Sequence, residues 1–422
     1  MNGMTRRGFC ASLTAAAWQP ARPLNVVFIL ADDLGGCDVG CYGADLHETP
    51  NLDALARQSV KFQAAYSASP VCSPTRASIL TGKHPARLGI TDWIGAPQKP
   101  TAYRQYLPLE EVTIAEALKE AGYAPRFVCK WHLTIPGADR ARYYPDKQGF
   151  DVNVGGDQSG SPPTHFYPYS KGNRSLDTMP AGGREGEYLT DRLTDESLKF
   201  IEANKDRRFF VYLPFYSVHT PLMAREDLRK KYEEKRARLG LKAKWGREHE
   251  RDVRLVQEHA VDAGMVEAMD LAVGKVLANL NELGLRENTL VIFTSDNGGL
   301  STSEGWPTSN LPLRAGKGWL YEGGIREPLL VRWPAVVKAG GLVSTPVSSP
   351  DFFPTLLEAA GAKPQPGQVL DGVSLLPVLK GGSLPERALF WHYPHYGNQG
   401  GAPGAAIRRG DWKLIEWQED RR

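Results

Sequence analysis

The sequence predicts an α/β fold: a large, mainly parallel sheet flanked by helices on both faces, with a smaller C-terminal unit. Three observations lead there. Five short apolar, β-rich runs read as buried strands, at residues 25–31, 126–129, 209–216, 289–294 and 328–333. Helical patterns fall between them, at 52–59, 113–121, 190–203 and 261–283. Alternating strands and helices each have an apolar side to bury, and layering them satisfies both. Third, polar residues follow four of the runs directly: Asp32 and Asp33, then Lys130 and His132, then His219, then Asp296 and Asn297. Open α/β sheets bind ligands beyond the carboxyl ends of their strands, so these residues are expected at one sheet edge.

The chain has 422 residues, enough for one large domain or two. Its net charge of +3 is too near balance to argue for nucleic acid or a membrane surface as partner. No segment has the roughly 18 uninterrupted apolar residues of a membrane span. Residues 1–22 read as a twin-arginine-like export signal, or else as a disordered tail. Thr5-Arg6-Arg7-Gly8-Phe9 leads into a short small-residue stretch and Pro20. An export signal implies a periplasmic or secreted protein. Cys10 falls in that segment. Cys37, Cys41, Cys72 and Cys129 are too few and too scattered for a disulfide scaffold, and none forms a C-x-x-C pair.

Residues 23–375 are expected to form the catalytic domain. Residues 376–422 are expected to form the smaller C-terminal α+β subdomain, with a strand at 412–417, and to leave it incomplete. The charged stretch 225–254 reads as a solvated helical excursion, with a basic binding arm as the alternative. The Gly- and Pro-rich stretches 155–163 and 397–404 read as loops of the kind that wall a pocket.

Cys72-Ser73-Pro74-Thr75-Arg76 opens a helical pattern that Gly82 would end, with Pro74 in the first turn. Cys72 would then sit at a helix N-terminus, where free N–H groups favour an anion. Arg76 adds a forked cation suited to an oxyanion. A buried structural cysteine is the alternative.

Cys-x-Pro-x-Arg in this run resembles the signature of the type I sulfatases, of the alkaline phosphatase superfamily. The resemblance implies an alkaline phosphatase-like fold. It also implies that a separate maturation enzyme oxidises Cys72 to formylglycine (3-oxoalanine). One hydroxyl of the aldehyde hydrate would attack sulfur and displace the alcohol. The other would then lose a proton and expel sulfate by breaking a C–O bond, which avoids water attack on a crowded, negatively charged sulfur.

Asp32-Asp33 and Asp296-Asn297 offer hard oxygen donors suited to calcium or magnesium. The resemblance makes Asp32, Asp33, Asp296 and Asn297 ligands of one divalent ion, completed by an oxygen of modified Cys72. Calcium is expected over magnesium, because oxygen-rich, mostly protein-supplied cages suit it better. Cys129-Lys130-Trp131-His132-Leu133 resembles the family's Gly-Lys-Trp-His-Leu-Gly, departing from it at Cys129 and Thr134. Lys130 and His132 are expected to alternate along an extended segment and so both face the site. The resemblance gives Lys130 the sulfate charge and His132 the deprotonation of the hydrate. His219, before Thr220-Pro221, reads alone as a structural histidine; the resemblance makes it the acid that protonates the leaving alkoxide. Lys317, opening Lys317-Gly318-Trp319-Leu320-Tyr321-Glu322-Gly323-Gly324-Ile325-Arg326, would bind the sulfate with Arg76 and Lys130. These motifs run in family order across residues 25–334.

Asp92, Trp93, His392, His395, Asn398 and Gln399 are expected to meet the organic part of the substrate. Aromatic faces with short polar groups suit a sugar ring, unless they only pack the domain junction. The cluster resembles those of bacterial sulfatases acting on glycans, which implies a carbohydrate sulfate based on galactose or N-acetylgalactosamine. Two competing readings stand. One is a phospho- or phosphonate-ester hydrolase of the same superfamily. The other is a non-catalytic glycan-binding homologue with unmodified Cys72.

Overall fold

The computed structural model describes residues 23–95, 103–135, 137 and 139–419; the expected export signal lies outside them. A nine-stranded sheet forms the centre. Its main path runs Gly341–Val343, Val60–Tyr66, Arg326–Arg332, Thr289–Ser295, Asn25–Ala31, Phe209–Pro214, Ala124–Val128 and Val152–Val154, with Val347–Ser348 also on Val60–Tyr66. Only Arg326–Arg332 runs antiparallel to its neighbours. The expected mainly parallel sheet is the one observed, with strand limits moved by a few residues.

The strand Asn25–Ala31 shows why a continuous apolar run marks a central strand. All seven residues are buried. Val26, Phe28 and Leu30 enter one core cluster, and Val27, Ile29 and Ala31 enter the other. Successive side chains point to opposite faces, so a strand covered on both sides is apolar throughout. Helices Ile114–Glu120 and Phe352–Ala360 pack on the first face. Helices Pro50–Arg57, Leu189–Ala203 and Ala260–Glu282 pack on the second.

Three elements differ from the sequence reading. Val60–Tyr66 is a sheet strand, although its half-buried Lys61 and exposed Gln63 break the apolar run. Phe352–Ala360 is a helix that the sequence reading did not propose. The charged stretch is not helical throughout: Glu226–Leu239 is a helix, ended by Gly240 at φ 63°, and Trp245–Glu248 pairs with Arg251–Arg254 as a hairpin. Among the described residues no helix is long and apolar enough to cross a membrane.

Past the helical turn Leu376–Leu379 comes a three-stranded antiparallel sheet of Ala388–Tyr393, Gly404–Arg409 and Trp412–Trp417. Its inner face puts Leu389, Trp391 and Tyr393 against Tyr66, Val71, Leu320 and Ile325. Trp391 donates from Nε1 to the carbonyl of Ser67 at 2.8 Å. This seam joins the small sheet to the segments that carry Cys72 and Lys317. Trp391→Ala is expected to lower the unfolding free energy by about 3–5 kcal/mol, because it empties a buried aromatic site; urea denaturation measures it.

Candidate active site

Four parallel neighbours, Thr289–Ser295, Asn25–Ala31, Phe209–Pro214 and Ala124–Val128, end at one edge. Ala31 lies opposite Ser295, and Leu30 opposite Pro214. Backbone bonds continue past the strands. Asp296 N donates to the carbonyl of Ala31 at 3.1 Å, Asp32 N to Ser217 at 2.9 Å and Lys130 N to Pro214 at 2.9 Å. Such bonds fix the polar residues that follow.

The helix Cys72–Thr81 stands over this edge, with Cys72 as its first residue and Gly82 closing it at φ 70°. The structure brings Cys72, Lys130, His132, His219, Asp32, Asp33, Asp296, Asn297 and Lys317 together. His132 Nδ1 lies 3.2 Å from Cys72 Sγ, and its Nε2 lies 2.8 Å from the carbonyl of Ile94. A carbonyl only accepts, so Nε2 carries the proton and Nδ1 turns a lone pair toward residue 72. Burial, then Lys130, pushes the pKa of His132 well down, which keeps that lone pair available. Gly160 packs against the ring: a Cβ there would lie 2.6 Å from its Cε1 and Nε2.

The segment 129–132 is not extended as expected. Cys129 has φ 102° and His132 φ 55°, so the chain turns sharply as it leaves the strand. A left-handed φ favours glycine; Cys129 occupies it with its side chain fully buried in the second core.

Each acid has a cation. Lys130 Nζ lies 2.6 Å from Asp32, Lys317 Nζ 2.6 Å from Asp33, and Arg76 NH2 2.7 Å from Asp296. Arg76 also donates from NH1 to the carbonyl of Lys130 at 3.0 Å. Arg76 and Lys130 are fully buried beside the carboxylates and do not line the cavity, whereas Lys317 does. Burial alone would raise the Asp33 carboxyl; Lys317, His219 and Lys130 together hold it well below the usual carboxylate range. Burial pushes the Asp32 carboxyl up, while Lys130 and Arg76 pull it down.

These residues fit a hard divalent ion. Asp32, Asp33 and His219 offer ligand atoms within 4.8 Å of one another. Asp32 Oδ1 and Asn297 Oδ1 are buried acceptors without a hydrogen-bond partner. Asn297 Nδ2 donates to Asp33 Oδ1 at 2.8 Å, which leaves its own oxygen for a cation. His219 Nδ1 lies 2.9 Å from the carbonyl of Thr220, so Nε2 faces Asp33 at 3.6 Å. Burial, opposed by Asp33 and assisted by Lys317 and Lys130, brings its pKa down to about 3.

A cavity of about 620 Å³ opens over Cys72, His132, His219 and Lys317, a size typical of small-ligand sites. Trp93, Asn398 and Gln399 line it. Asp92, His392 and His395 do not. Asp92 is buried and accepts from Tyr393 at 3.1 Å. His395 is buried with Nε2 2.8 Å from Thr91 Oγ1, bracing the wall from behind. His392 lies on the outer side of its strand, in step with exposed Phe390, because alternate strand residues face opposite sides.

The sequence reading missed Glu304, Arg140 and Arg174, all on the cavity wall. Glu304 Oε1 accepts from Asn398 at 2.8 Å and Gln399 at 2.7 Å. Arg174 sits on a two-strand hairpin, Ser170–Lys171 with Arg174–Ser175, whose turn signal is Gly172-Asn173.

The family model described as Sulfatase matches residues 24–362, and that described as N-sulphoglucosamine sulphohydrolase, C-terminal, matches 315–422. N-acetylgalactosamine-6-sulfatase of Mus musculus is 36% identical over 403 residues, covering 90% of this chain and 70% of that protein. Arylsulfatase A of Homo sapiens is 35% identical over 426 residues, covering 94% and 76%. The solved structure of Ps i-CgsB in complex with k-i-k-neocarrahexaose is 31% identical with a TM-score of 0.77, covering 95% of this chain and 85% of that one.

Removing Asp33 would leave Lys317 buried and unpaired. With a chelator present, Asp33→Ala is expected to cost about 3–5 kcal/mol, and adding Lys317→Met to recover part of that loss. Urea denaturation of the single and double variants measures both.

Proposed function

The chain belongs to the sulfatase family and is a sulfuric ester hydrolase, and we propose that it removes sulfate from a carbohydrate through an oxidised Cys72 and one calcium ion. The observation that carries the proposal is the pairing of Cys72, at a helix start on the cavity floor, with the lone pair of His132 at 3.2 Å. Oxidation of Cys72 to formylglycine by a separate maturation enzyme would supply a hydrated aldehyde, whose hydroxyls provide the nucleophile and the later release of sulfate. Asp32, Asp33, Asp296 and Asn297 would hold the calcium ion, which when bound polarises the sulfate. An all-oxygen donor set suits calcium better than magnesium, which keeps more of its water.

The protein's own groups do the rest. His132 Nδ1 accepts a proton from the group at position 72. Lys317 lines the cavity and binds sulfate oxygens, while Arg76 and Lys130 hold the acids in place. The N–H groups of the first helical turn at Cys72 add positive potential. His219 Nε2 delivers a proton to the leaving alkoxide. The ring is neutral at neutral pH on its own, and an anion bound beside it favours its protonated form.

The substrate proposal rests on the cavity walls. Trp93 offers an aromatic face, Asn398 and Gln399 offer amides, and Glu304 offers a carboxylate, a mixture that suits a ring bearing hydroxyls. The relatives named for N-acetylgalactosamine-6-sulfatase activity and the structure bound to a neocarrahexaose support a galactose- or N-acetylgalactosamine-based sulfate. Twin arginines near the N-terminus support an exported, periplasmic or secreted enzyme.

Released sulfate is expected from a panel of sulfated galactosides and N-acetylgalactosaminides, at higher kcat/KM than from simple aryl sulfates or matched phosphate esters. Turnover of aryl sulfates alone would overturn the carbohydrate reading. Cys72→Ala is expected to lower kcat by about 10³-fold or more with an unchanged circular dichroism spectrum. Chelation is expected to abolish turnover and lower the melting temperature, and calcium to restore both more fully than magnesium.

A further inference from the structure

The cavity wall carries more charge than desulfation of a single sugar uses. Beyond Lys317, its cations are Arg140 and Arg174. Arg140 is already engaged, with Nε 2.8 Å from Asp177 Oδ2. Arg174 is held differently. Its NH2 donates to the carbonyl of Ser161 at 3.1 Å and approaches Ser161 Oγ at 3.5 Å, and among the described residues it forms no ion pair. A neutral carbonyl fixes the guanidinium without neutralising it. The remaining N–H groups keep the fork that matches a carboxylate or a sulfate.

The placement is built rather than incidental. Ser161 belongs to the loop whose Gly160 packs on the His132 ring. The hairpin that carries Arg174 is therefore tied to the segment lying on the candidate base. Its residues Ser170-Lys171-Gly172-Asn173-Arg174-Ser175 include two cations and no acid. Asn173 and Ser175 line the same cavity and add short hydrogen-bonding groups beside the guanidinium. The lining acids are Glu304, which accepts from Asn398 and Gln399, and Asp177, which Arg140 neutralises, so Arg174 is the lining guanidinium that no acid among the described residues pairs.

We propose that Arg174, with Asn173, forms a second anion subsite, and that the substrate is an oligosaccharide bearing a further sulfate or carboxylate on a sugar next to the one that is desulfated. This rests on the carbohydrate sulfatase reading above and narrows it to polyanionic glycans. Arg174 binds and selects; it takes no part in bond breaking.

The test compares kcat/KM on three matched disaccharides: one carrying only the scissile sulfate, one with a second sulfate on the neighbouring sugar, and one with a uronic acid there. At low salt the wild-type enzyme prefers at least one doubly charged substrate by about tenfold or more, the scale of one charge-assisted forked contact. The preference shrinks with added sodium chloride, since an exposed subsite is screened. Arg174→Gln brings the ratio near one, and Arg174→Lys retains part of it. The larger of the two ratios identifies sulfate or carboxylate as the second group. A wild-type ratio near one, or a ratio that Arg174→Gln leaves intact in a protein of unchanged melting temperature, overturns the subsite. If none of the three releases sulfate, the carbohydrate reading itself fails and the subsite falls with it. If the singly sulfated disaccharide is hydrolysed without a preference, only the subsite falls.

Discussion

The site depends on the mutual neutralisation of charges in a dry place. Asp32, Asp33 and Asp296 are buried at the edge of the sheet, each with its own cation: Lys130, Lys317 and Arg76. An unpaired buried charge costs several kcal/mol, so none of the six tolerates loss of its partner. Pairing in turn demands that strand ends, the helix Cys72–Thr81 and the loop of Lys317 converge, because the partners lie 98, 220 and 284 residues apart in the chain. The sheet thus sets the chemistry by setting where its strands stop. Asp32 Oδ1 and Asn297 Oδ1, both in this site, are left without a hydrogen bond. A hard cation would complete the set.

The floor and the walls of the cavity have different origins. The floor is built by strand ends and one helix start, rigid elements that hold Cys72, His132 and the acids in place. The walls come from loops and short hairpins, among them the 158–161 loop, the 170–175 hairpin and the 397–401 loop. Glu304 links its own loop to the C-terminal one through Asn398 and Gln399. The small C-terminal sheet helps to shape the wall as well as to cover apolar surface. Loops on a fixed scaffold can change specificity without disturbing the chemistry.

The floor was legible in the sequence and the walls mostly were not. Asn25–Ala31 and Thr289–Ser295 announced themselves because a strand covered on both faces has no polar position. Polar residues immediately after such runs could only sit at the sheet edge. Val60–Tyr66 escaped because Lys61 and Gln63 interrupt its apolar pattern, and Phe352–Ala360 lay in no recognised helical pattern. Arg76 was legible as a forked cation near an anion site. Its partners were not, since reading that Asp296 would take the guanidinium requires three dimensions. His392 and His395 do not line the cavity: His392 takes the outer side of its strand, and His395, past the strand end, is buried against Thr91. Glu304 and Arg174 gave no signal beyond being charged residues in loops. Only the Gly172-Asn173 turn hinted that Arg174 would be held on a hairpin.

The central claim is that residue 72 acts as an oxidised side chain. Mass spectrometry of the peptide containing Cys72, taken from purified enzyme with measured sulfate-releasing activity, tests it most directly. The account requires the aldehyde or its hydrate at that position, in proportion to activity across preparations. Full activity in a preparation whose residue 72 is an unmodified thiol would contradict it.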